Sequence, residues 1–398
     1  MKMRVLSVTA QKPCSTGSGV YLTEVVRSLA KMGVSQAVVA GVTREDRVDM
    51  PEGVTVYPVY FSSEKLPYPV VGMSDEMPYT STRYRDMTEE MAGQFKAAFL
   101  EVLDEAIEKE NPDIILCHHL YYLTALIRAH YPAKKVYGFC HNTDLRQMES
   151  ILFERNFIRQ EIPKLDRIFA LQEAQKEKIK KIYPVSEKQM TVIGTGYNSE
   201  VFKKTGIKLS RKDGKIRMIF AGKITQKKGV KSLLRALNLL DYEKEKIQLI
   251  LAGGAGNLVE YEEIKELADG CRYPVVFAGC VTQSRLAELY NDCDIFVLPS
   301  MYEGLPLTVI ESLACGDRVV MTKLEGIAEW LADMVPDADI RYVLPPGMKG
   351  TDEPLEEELP AFESRLTEAL REAIEEKDTK ECDVSRISWQ KIAREVIR

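Results

Sequence analysis

Ile295-Phe296-Val297-Leu298-Pro299-Ser300-Met301-Tyr302-Glu303-Gly304-Leu305-Pro306-Leu307-Thr308-Val309-Ile310-Glu311-Ser312-Leu313-Ala314-Cys315-Gly316 reads as strand, loop and helix in turn. The first four residues are the short apolar run of a buried strand. Pro306 suits the first helical turn, because a proline at N1 gives up only an amide that had no partner. Leu307, Ile310 and Ala314 recur at helical spacing and predict the core-facing side. Gly316 predicts the residue that ends the helix in a left-handed conformation. Glu303 then lies in a loop at the carboxyl end of a strand, and Glu311 inside the helix that follows. Eight residues correspond to roughly 12 Å along a helix axis, so the two acids can reach different parts of one elongated ligand. The alternative is a surface loop acid at Glu303 and a solvated or capping acid at Glu311.

The same alternation extends back from this stretch. Residues 216–221 read as a strand, followed by Gly222-Lys223-Ile224-Thr225-Gln226-Lys227-Lys228-Gly229 and a helix over 230–240. Cations ahead of a helix oppose its dipole unless an anion sits there, which marks Lys223 and Lys228 for an anionic ligand over a merely charged loop. Residues 247–252 with Gly253-Gly254-Ala255-Gly256 form the next strand and glycine loop, and 275–277 lead into Ala278-Gly279-Cys280-Val281. Strands at 318–322 and 341–344 and a helix over 360–377, entered through the acidic stretch 352–358, complete this half. Asp292-Cys293-Asp294 is only superficially a metal-binding Asp-x-Asp; at a helix-to-strand junction it reads as structural.

The N-terminal half repeats the logic. A strand over 3–8 runs into Gln11-Lys12-Pro13-Cys14-Ser15-Thr16-Gly17-Ser18-Gly19 and a helix over about 20–32. A strand, glycine loop and helix present amides and a helix N-terminus to a phosphate, so Gly17 and Gly19 are candidates; a tight turn is the alternative. A dinucleotide fingerprint would need a third glycine where Leu22 stands. Strands at 34–42 and 54–61 precede a long segment, 62–87, rich in Pro, Tyr and Ser. There Arg83 and Arg85 are candidates for an anionic group on an acceptor, against an exposed mobile loop. A helix over 88–109, a strand over 114–117, a helix over 121–130 and a strand over 135–140 follow. Such alternation predicts parallel sheets with ligands at the carboxyl ends of strands. His118, His119 and His141, three of the four histidines, fall at such ends. Adjacent residues of a persisting strand face opposite ways, and no metal-binding spacing is present, so no metal is expected. Strands at 166–171 and 190–193 close this half. The helix between them alternates Lys176, Lys178, Lys180 and Lys181 with Glu173 and Glu177, which reads as a solvated face, with anionic lipid as the alternative. Residues 205–215 have linker composition.

With 398 residues the chain exceeds one ordinary core and fits two domains. Hydrophobic content of 45% beside 29% charged residues is that of a globular protein, and a net charge of −6 gives no bulk attraction to nucleic acid. No apolar run approaches the about 18 residues of a membrane span. The N-terminus runs straight into a strand without a leader-like apolar region, and eight scattered cysteines lack a Cys-x-x-Cys pair. Both point to a cytoplasmic chain with reduced, buried thiols.

The Glu-x7-Glu pair after a Pro-Ser strand end, with Glu-Gly-Leu-Pro-Leu and Glu-Ser-Leu-Ala-Cys-Gly, resembles the signature of the retaining family 4 glycosyltransferases (glycosyl transferases group 1) of the GT-B fold. The resemblance implies an α/β protein of two doubly wound Rossmann-like domains facing across a central cleft. Residues 1–205 would bind the acceptor, with 385–398 crossing back as the family's Ser-Trp helix; residues 206–384 would bind a nucleoside-diphosphate sugar. No cofactor or metal is implied. The acceptor is a small molecule, a lipid-linked hydroxyl or a glycan, and peripheral membrane contact stays open. By position, Glu311 would hold the ribose, Lys223 and Lys228 the diphosphate, Glu303 with the amides of Gly304 and Leu305 the sugar, and Val281 the base. Lys223 stands where the family has arginine and offers a point charge in place of a bidentate fork. The Gly17–Gly19 loop would face the donor phosphates and the acceptor. His141, in Phe139-Cys140-His141-Asn142-Thr143, matches a Phe-His-Thr position beside the anomeric carbon, and His119 is an acceptor-side candidate. Gly194-Thr195-Gly196-Tyr197-Asn198 departs from the family's Pro-Asn-Gly-Val-Asp, and Asp317-Arg318 from its residue-proline pair. With no evident nucleophile, same-face attack assisted by the leaving phosphate is expected, with the domains closing about the 205–215 link. A nucleotide-sugar epimerase of the same fold and a catalytically silent binding partner are the alternatives; a phosphorylase would need a cofactor lysine and a longer chain.

Overall fold

The computed structural model describes residues 3–13, 15–75, 77–206, 213–255, 257–350, 353–376 and 382–398. Cys14, Gly256, Asp352, Lys377 and residues 207–212 of the expected linker lie outside the described residues. The chain divides into two compact units, 1–196 with 389–398, and 197–388.

The first unit runs β1 (Arg4–Thr9), α1 (Gly17–Lys31), β2 (Ser35–Val42), β3 (Thr55–Tyr60), β4 (Val71–Gly72), β5 (Thr82–Arg83), α2 (Glu89–Glu110), β6 (Ile114–His118), α3 (Tyr122–His130), β7 (Lys135–Phe139), α4 (Thr143–Ser150), α5 (Arg155–Glu161), β8 (Arg167–Ala170), α6 (Glu173–Ile182) and β9 (Met190–Val192). Its main sheet has the order β3-β2-β1-β6-β7-β8-β9, and every pair is parallel. The order reverses between β1 and β6, so the loops leaving these two strands diverge and open a crevice at their carboxyl ends. Both strands are buried at nearly every position, as parallel strands covered on two faces must be.

Helix α1 starts earlier than its apolar pattern indicates. Thr16 is the N-cap, and its hydroxyl accepts the Gly19 amide at 3.1 Å. Gly17 and Gly19 are therefore in the first helical turn and not in a loop, and the Gly19 amide is committed to the cap. Segment 62–87 is not an exposed mobile loop either. Leu66, Tyr68, Val70, Val71, Met73, Met77, Tyr84 and Met87 are buried, and β4 pairs with β5.

The second unit runs β10 (Ile216–Ala221), α7 (Val230–Asn238), β11 (Ile247–Ala252), α8 (Leu258–Asp269), β12 (Val275–Gly279), α9 (Gln283–Asp292), β13 (Ile295–Leu298), α10 (Leu307–Ala314), β14 (Arg318–Thr322), α11 (Ile327–Met334), β15 (Ile340–Val343), the short pair β16 (Met348–Lys349) and β17 (Glu353–Pro354), and α12 (Leu359–Glu375). Its sheet is parallel in the order β12-β11-β10-β13-β14-β15, reversing between β10 and β13. Residues 197–205 belong to this unit, although linker composition begins only at 205. Phe202 is buried, the Thr205 amide and hydroxyl both donate to the Asn291 side-chain Oδ1 of α9, and the Asn291 side-chain Nδ2 donates to the Lys203 backbone carbonyl.

Pro306 is the N-cap of α10 and not N1, and the buried face is Val309, Ile310, Ser312 and Leu313, with Leu307 and Ala314 only half-buried. Gly316 (φ +86°) ends the helix as expected: its amide donates to the Leu313 carbonyl and the Asp317 amide to the Ser312 carbonyl, the paired bonds of a Schellman cap. Asp292 and Asp294 both engage Arg217 of β10, the structural use read from their position.

Helix α13 (Trp389–Val396) returns to the first unit. Trp389, Ile392, Ala393 and Val396 make its buried stripe, the i, i+3, i+4, i+7 spacing of an amphipathic helix. Trp389 packs edge-on to Tyr21 of α1 at 4.8 Å, and Arg167 of β8 pairs with Glu395. A Cβ at Gly196 would strike the Trp389 ring, so this turn requires glycine.

Candidate functional site

In the second unit the switch between β10 and β13 is where Lys228 and Glu303 meet. Lys228 closes a single helical turn, 226–228, in the loop after β10; Glu303 lies in the loop after β13. The Lys228 ammonium donates to the Glu303 carboxylate at 2.6 Å, with both side chains half-buried or deeper. The Met301 amide donates to the Lys227 carbonyl at 3.0 Å, so backbone as well as charge ties the two loops. Gly229 (φ +72°) closes the turn, and a Cβ there would fall on the Pro299 carbonyl oxygen. Both its conformation and this close approach demand glycine. Lys223 stands half-buried at the start of the same loop, Gly304 and Leu305 follow Glu303, and Glu311 is 6% exposed on α10. Val281 is half-buried beyond β12, just before Thr282 caps α9. Its neighbour Cys280 is exposed, contrary to the expectation of buried thiols, whereas Cys117, Cys140, Cys293 and Cys315 are buried.

The first unit gathers its histidines. β6 ends at His118, and His119 turns out of the strand with φ +74°. The opposite-face expectation therefore fails, because it required the strand to persist. His118 Nδ1 lies 3.0 Å from His141 Nε2, and the His119 and His141 rings are 4.9 Å apart. His118 lies flat on Phe139 at 4.6 Å, and Tyr21 sits edge-on to His141 at 5.2 Å. Burial holds His118 down to about 3, and burial with the two neighbouring histidines holds His141 well below its ordinary value. His119 is also lowered by burial, against the pull of Asp144. The cluster is neutral near pH 7. Among the described residues no group of three His, Cys, Asp or Glu side chains is arranged to hold a metal ion.

Asp144, fully buried in the first turn of α4, holds this arrangement. Its carboxylate accepts the Leu120 amide at 2.7 Å, the His141 amide at 3.2 Å and the Leu145 amide at 3.1 Å. It thereby ties the loop after β6 to the loop after β7. Asn142 between them is also left-handed, with φ +72°. Non-glycine residues in this region clustered at a strand edge mark an over-determined local structure.

A sequence profile described as Glycosyltransferase Family 4 matches residues 15–201, and one described as Glycosyl transferases group 1 matches residues 202–395. The chain belongs to this glycosyltransferase family. Its two parallel-sheet units are the GT-B fold. An uncharacterised glycosyltransferase of Methanocaldococcus jannaschii is 29% identical over 172 residues, 41% of this chain and 44% of that protein. The matched stretch covers less than two thirds of the length of each of the first curated relatives. Sucrose-phosphate synthase from Thermosynechococcus elongatus superposes with a TM-score of 0.70 over 99% of this chain and 97% of that one, at 15% identity. Anabaena HepE, solved with UDP and glucose, superposes with a TM-score of 0.63 over 99% and 98%, at 14% identity.

Other positions singled out in this glycosyltransferase have local partners. Arg83 pairs with Asp86, and Arg85 with Asp75, which also meets Arg146 of α4. Both guanidiniums are exposed and already matched by carboxylates of their own segment. Lys176 and Lys180 of α6 are braced by Glu173, Glu177 and Glu187, the solvated reading of that face. No described helix is long and apolar enough to cross a membrane. Sequence reasoning missed Asp144 and Tyr21. An acid in the first turn of a helix right after a strand end was the available signal for Asp144; nothing local marks Tyr21.

Proposed function

We propose that this glycosyltransferase moves a sugar from a nucleoside-diphosphate sugar to a hydroxyl acceptor with retention of anomeric configuration. The observation that carries the reading is the Lys228–Glu303 pair at the switch point of the second unit, the place where open parallel sheets take ligands. An ammonium and a carboxylate that meet there can each turn to a donor. Lys228, with Lys223, stabilises the leaving diphosphate; Glu303, with the amides of Gly304 and Leu305, accepts from sugar hydroxyls. Glu311 accepts from the ribose hydroxyls as an ionised carboxylate, and Val281 lies against the base. UDP and glucose in Anabaena HepE support a donor of this class. In the first unit, the Gly17 end of α1 offers first-turn amides, and His141 hydrogen-bonds the transferred sugar. His119, Arg83 and Arg85 stand on the acceptor side.

In the reaction the acceptor oxygen bonds to the anomeric carbon on the face from which the phosphate leaves. The bond from that carbon to the phosphate oxygen breaks, and the acceptor proton passes to the departing phosphate. The products are a glycoside and a nucleoside diphosphate, with no cofactor or metal. The cytoplasm suits the described cysteines, all free thiols.

A panel of nucleotide sugars, with nucleoside diphosphate release and proton NMR of the product anomer, tests the reading. Release with an α-linked product from an α-linked donor is expected. An inverted product overturns retention. Recovery of an isomerised sugar still on its nucleotide, or no binding across the panel, overturns transfer.

A further inference from the structure

We propose that His118 is a positioning residue that holds His141 in the tautomer carrying its proton on Nδ1. The tautomer follows from the geometry of the first unit; its consequence for sugar transfer rests on the reading of His141 given above.

The two rings are 3.0 Å apart from His118 Nδ1 to His141 Nε2, with centroids 5.2 Å apart and planes within 14°. A nitrogen contact this short at that centroid separation requires the rings to lie end to end and nearly coplanar. This directs one N–H along the other ring's lone pair. Between neutral imidazoles one nitrogen donates and the other accepts, so a single proton choice fixes both rings.

His118 decides that choice. It is 4% exposed, and its Nε2 has no hydrogen-bond partner. If His118 Nδ1 accepted, its own proton would sit on Nε2 as a buried N–H with nothing to donate to. If His118 Nδ1 donates, the buried Nε2 is a bare lone pair. Orphaned buried N–H groups are rarer than under-satisfied acceptors, so His118 donates and His141 Nε2 accepts. His141 then carries its proton on Nδ1, the tautomer that free imidazole side chains disfavour in water.

The surroundings hold this arrangement in place. His118 is pinned flat on Phe139, its register partner across β6 and β7. Asp144 fixes the His141 amide, and Tyr21 covers the His141 ring edge-on. His141 therefore offers a ligand an N–H at Nδ1 and no free basic nitrogen. It can donate a hydrogen bond to a sugar oxygen but cannot take the acceptor's proton, which must pass to the leaving phosphate. His118 does this through His141, without touching the sugar.

The test is nitrogen-15 NMR of histidine-labelled full-length protein, which separates protonated from bare ring nitrogens among only four histidines. The expected spectrum has His141 protonated on Nδ1 and bare on Nε2; the reverse assignment overturns the proposal. His118→Phe keeps a flat ring on Phe139 and removes the donor. His141 should then shift toward the Nε2-protonated form, and kcat should fall about 10–100-fold, the range for loss of an orienting hydrogen bond, with donor KM little changed. His118→Asn restores a donor near the Nδ1 position and should recover both the His141 signature and most of kcat. An unchanged His141 spectrum and kcat in His118→Phe overturn the proposal. Should that variant not fold, the wild-type and His118→Asn spectra decide. The expected wild-type tautomer without turnover of any nucleotide sugar would uphold the pair and overturn the transferase reading.

Discussion

The switch points of the two units use opposite electrostatics. In the second unit, half-buried charges from loops after β10 and β13 neutralise one another through Lys228 and Glu303. In the first, neutral imidazoles from the last residue of β6 and the loop after β7 share a hydrogen bond, and the carboxyl group at their core, Asp144, is fully buried under backbone amides. The first arrangement can exchange its partners for a ligand, because neither side chain is fully buried and both charges still reach the surface. The second cannot, because each buried donor left bare costs about 1–3 kcal/mol. The pairing in the second unit therefore suits the proposed exchange with a charged ligand, whereas the first unit holds one geometry.

The sharpest break of this contrast is Asp144→Ala. It strips three amides, two of them buried, of their acceptor and should destabilise the first unit by about 2–6 kcal/mol, at about 1–3 kcal/mol for each buried donor left bare. Unfolding followed by Trp389 fluorescence in a Trp330→Phe background reads the first unit; a change below that of an ordinary surface substitution would contradict it. Lys228→Met should leave stability nearly untouched and raise the barrier to transfer by about 3–4 kcal/mol, a hundredfold to thousandfold loss of kcat. Comparable losses of stability and rate would erase the distinction between the units.

Acid sharpens the comparison. His118 stays neutral in the folded chain down to about 3, because of burial first and His119 second, whereas the unfolded chain takes up that proton below its ordinary value of about 6.5. The contribution is complete above about pH 6.5 and is lost as pH falls toward 3, reaching about 2 kcal/mol at pH 5. Denaturation at pH 8 and pH 5 should show a stability loss smaller by this amount in His118→Asn, which keeps His119 and His141, than in wild type; equal pH dependence would contradict it. The smallest effect belongs to Arg83→Ala. Its guanidinium is exposed and matched by Asp86, so stability should move by less than about 0.5 kcal/mol. A large rise in acceptor KM would show that the ion pair opens for an acceptor.

The same contrast explains what the sequence made legible. β10 and β14 have the bounds their apolar runs indicate, and Lys228 and Glu303 stand out because each sits in a short motif beside a strand end. The first unit was harder to read. His119 leaves the strand by a left-handed turn that no periodicity encodes. Asp144 works through amides from two separate loops, and Tyr21 reaches His141 from α1, over a hundred positions earlier in the chain. Segment 62–87 has loop composition, but its scattered Leu, Val, Met and Tyr supply the buried contacts without a helical or strand period. Thr16 extends α1 by a cap that apolar spacing alone does not register. Local chemistry was visible, and geometry assembled from distant segments was not.

The central claim, that the charged switch point of the second unit holds a nucleoside diphosphate, is tested most directly by calorimetric titration of wild type and Glu311→Gln with UDP and the other nucleoside diphosphates. At least one should bind wild type, and the substitution should weaken it by about 1.5–3 kcal/mol, the worth of hydrogen bonds to a charged group, or roughly tenfold to over a hundredfold in Kd. Equal affinity in the two proteins, or no binding of any nucleoside diphosphate to wild type, would contradict the account.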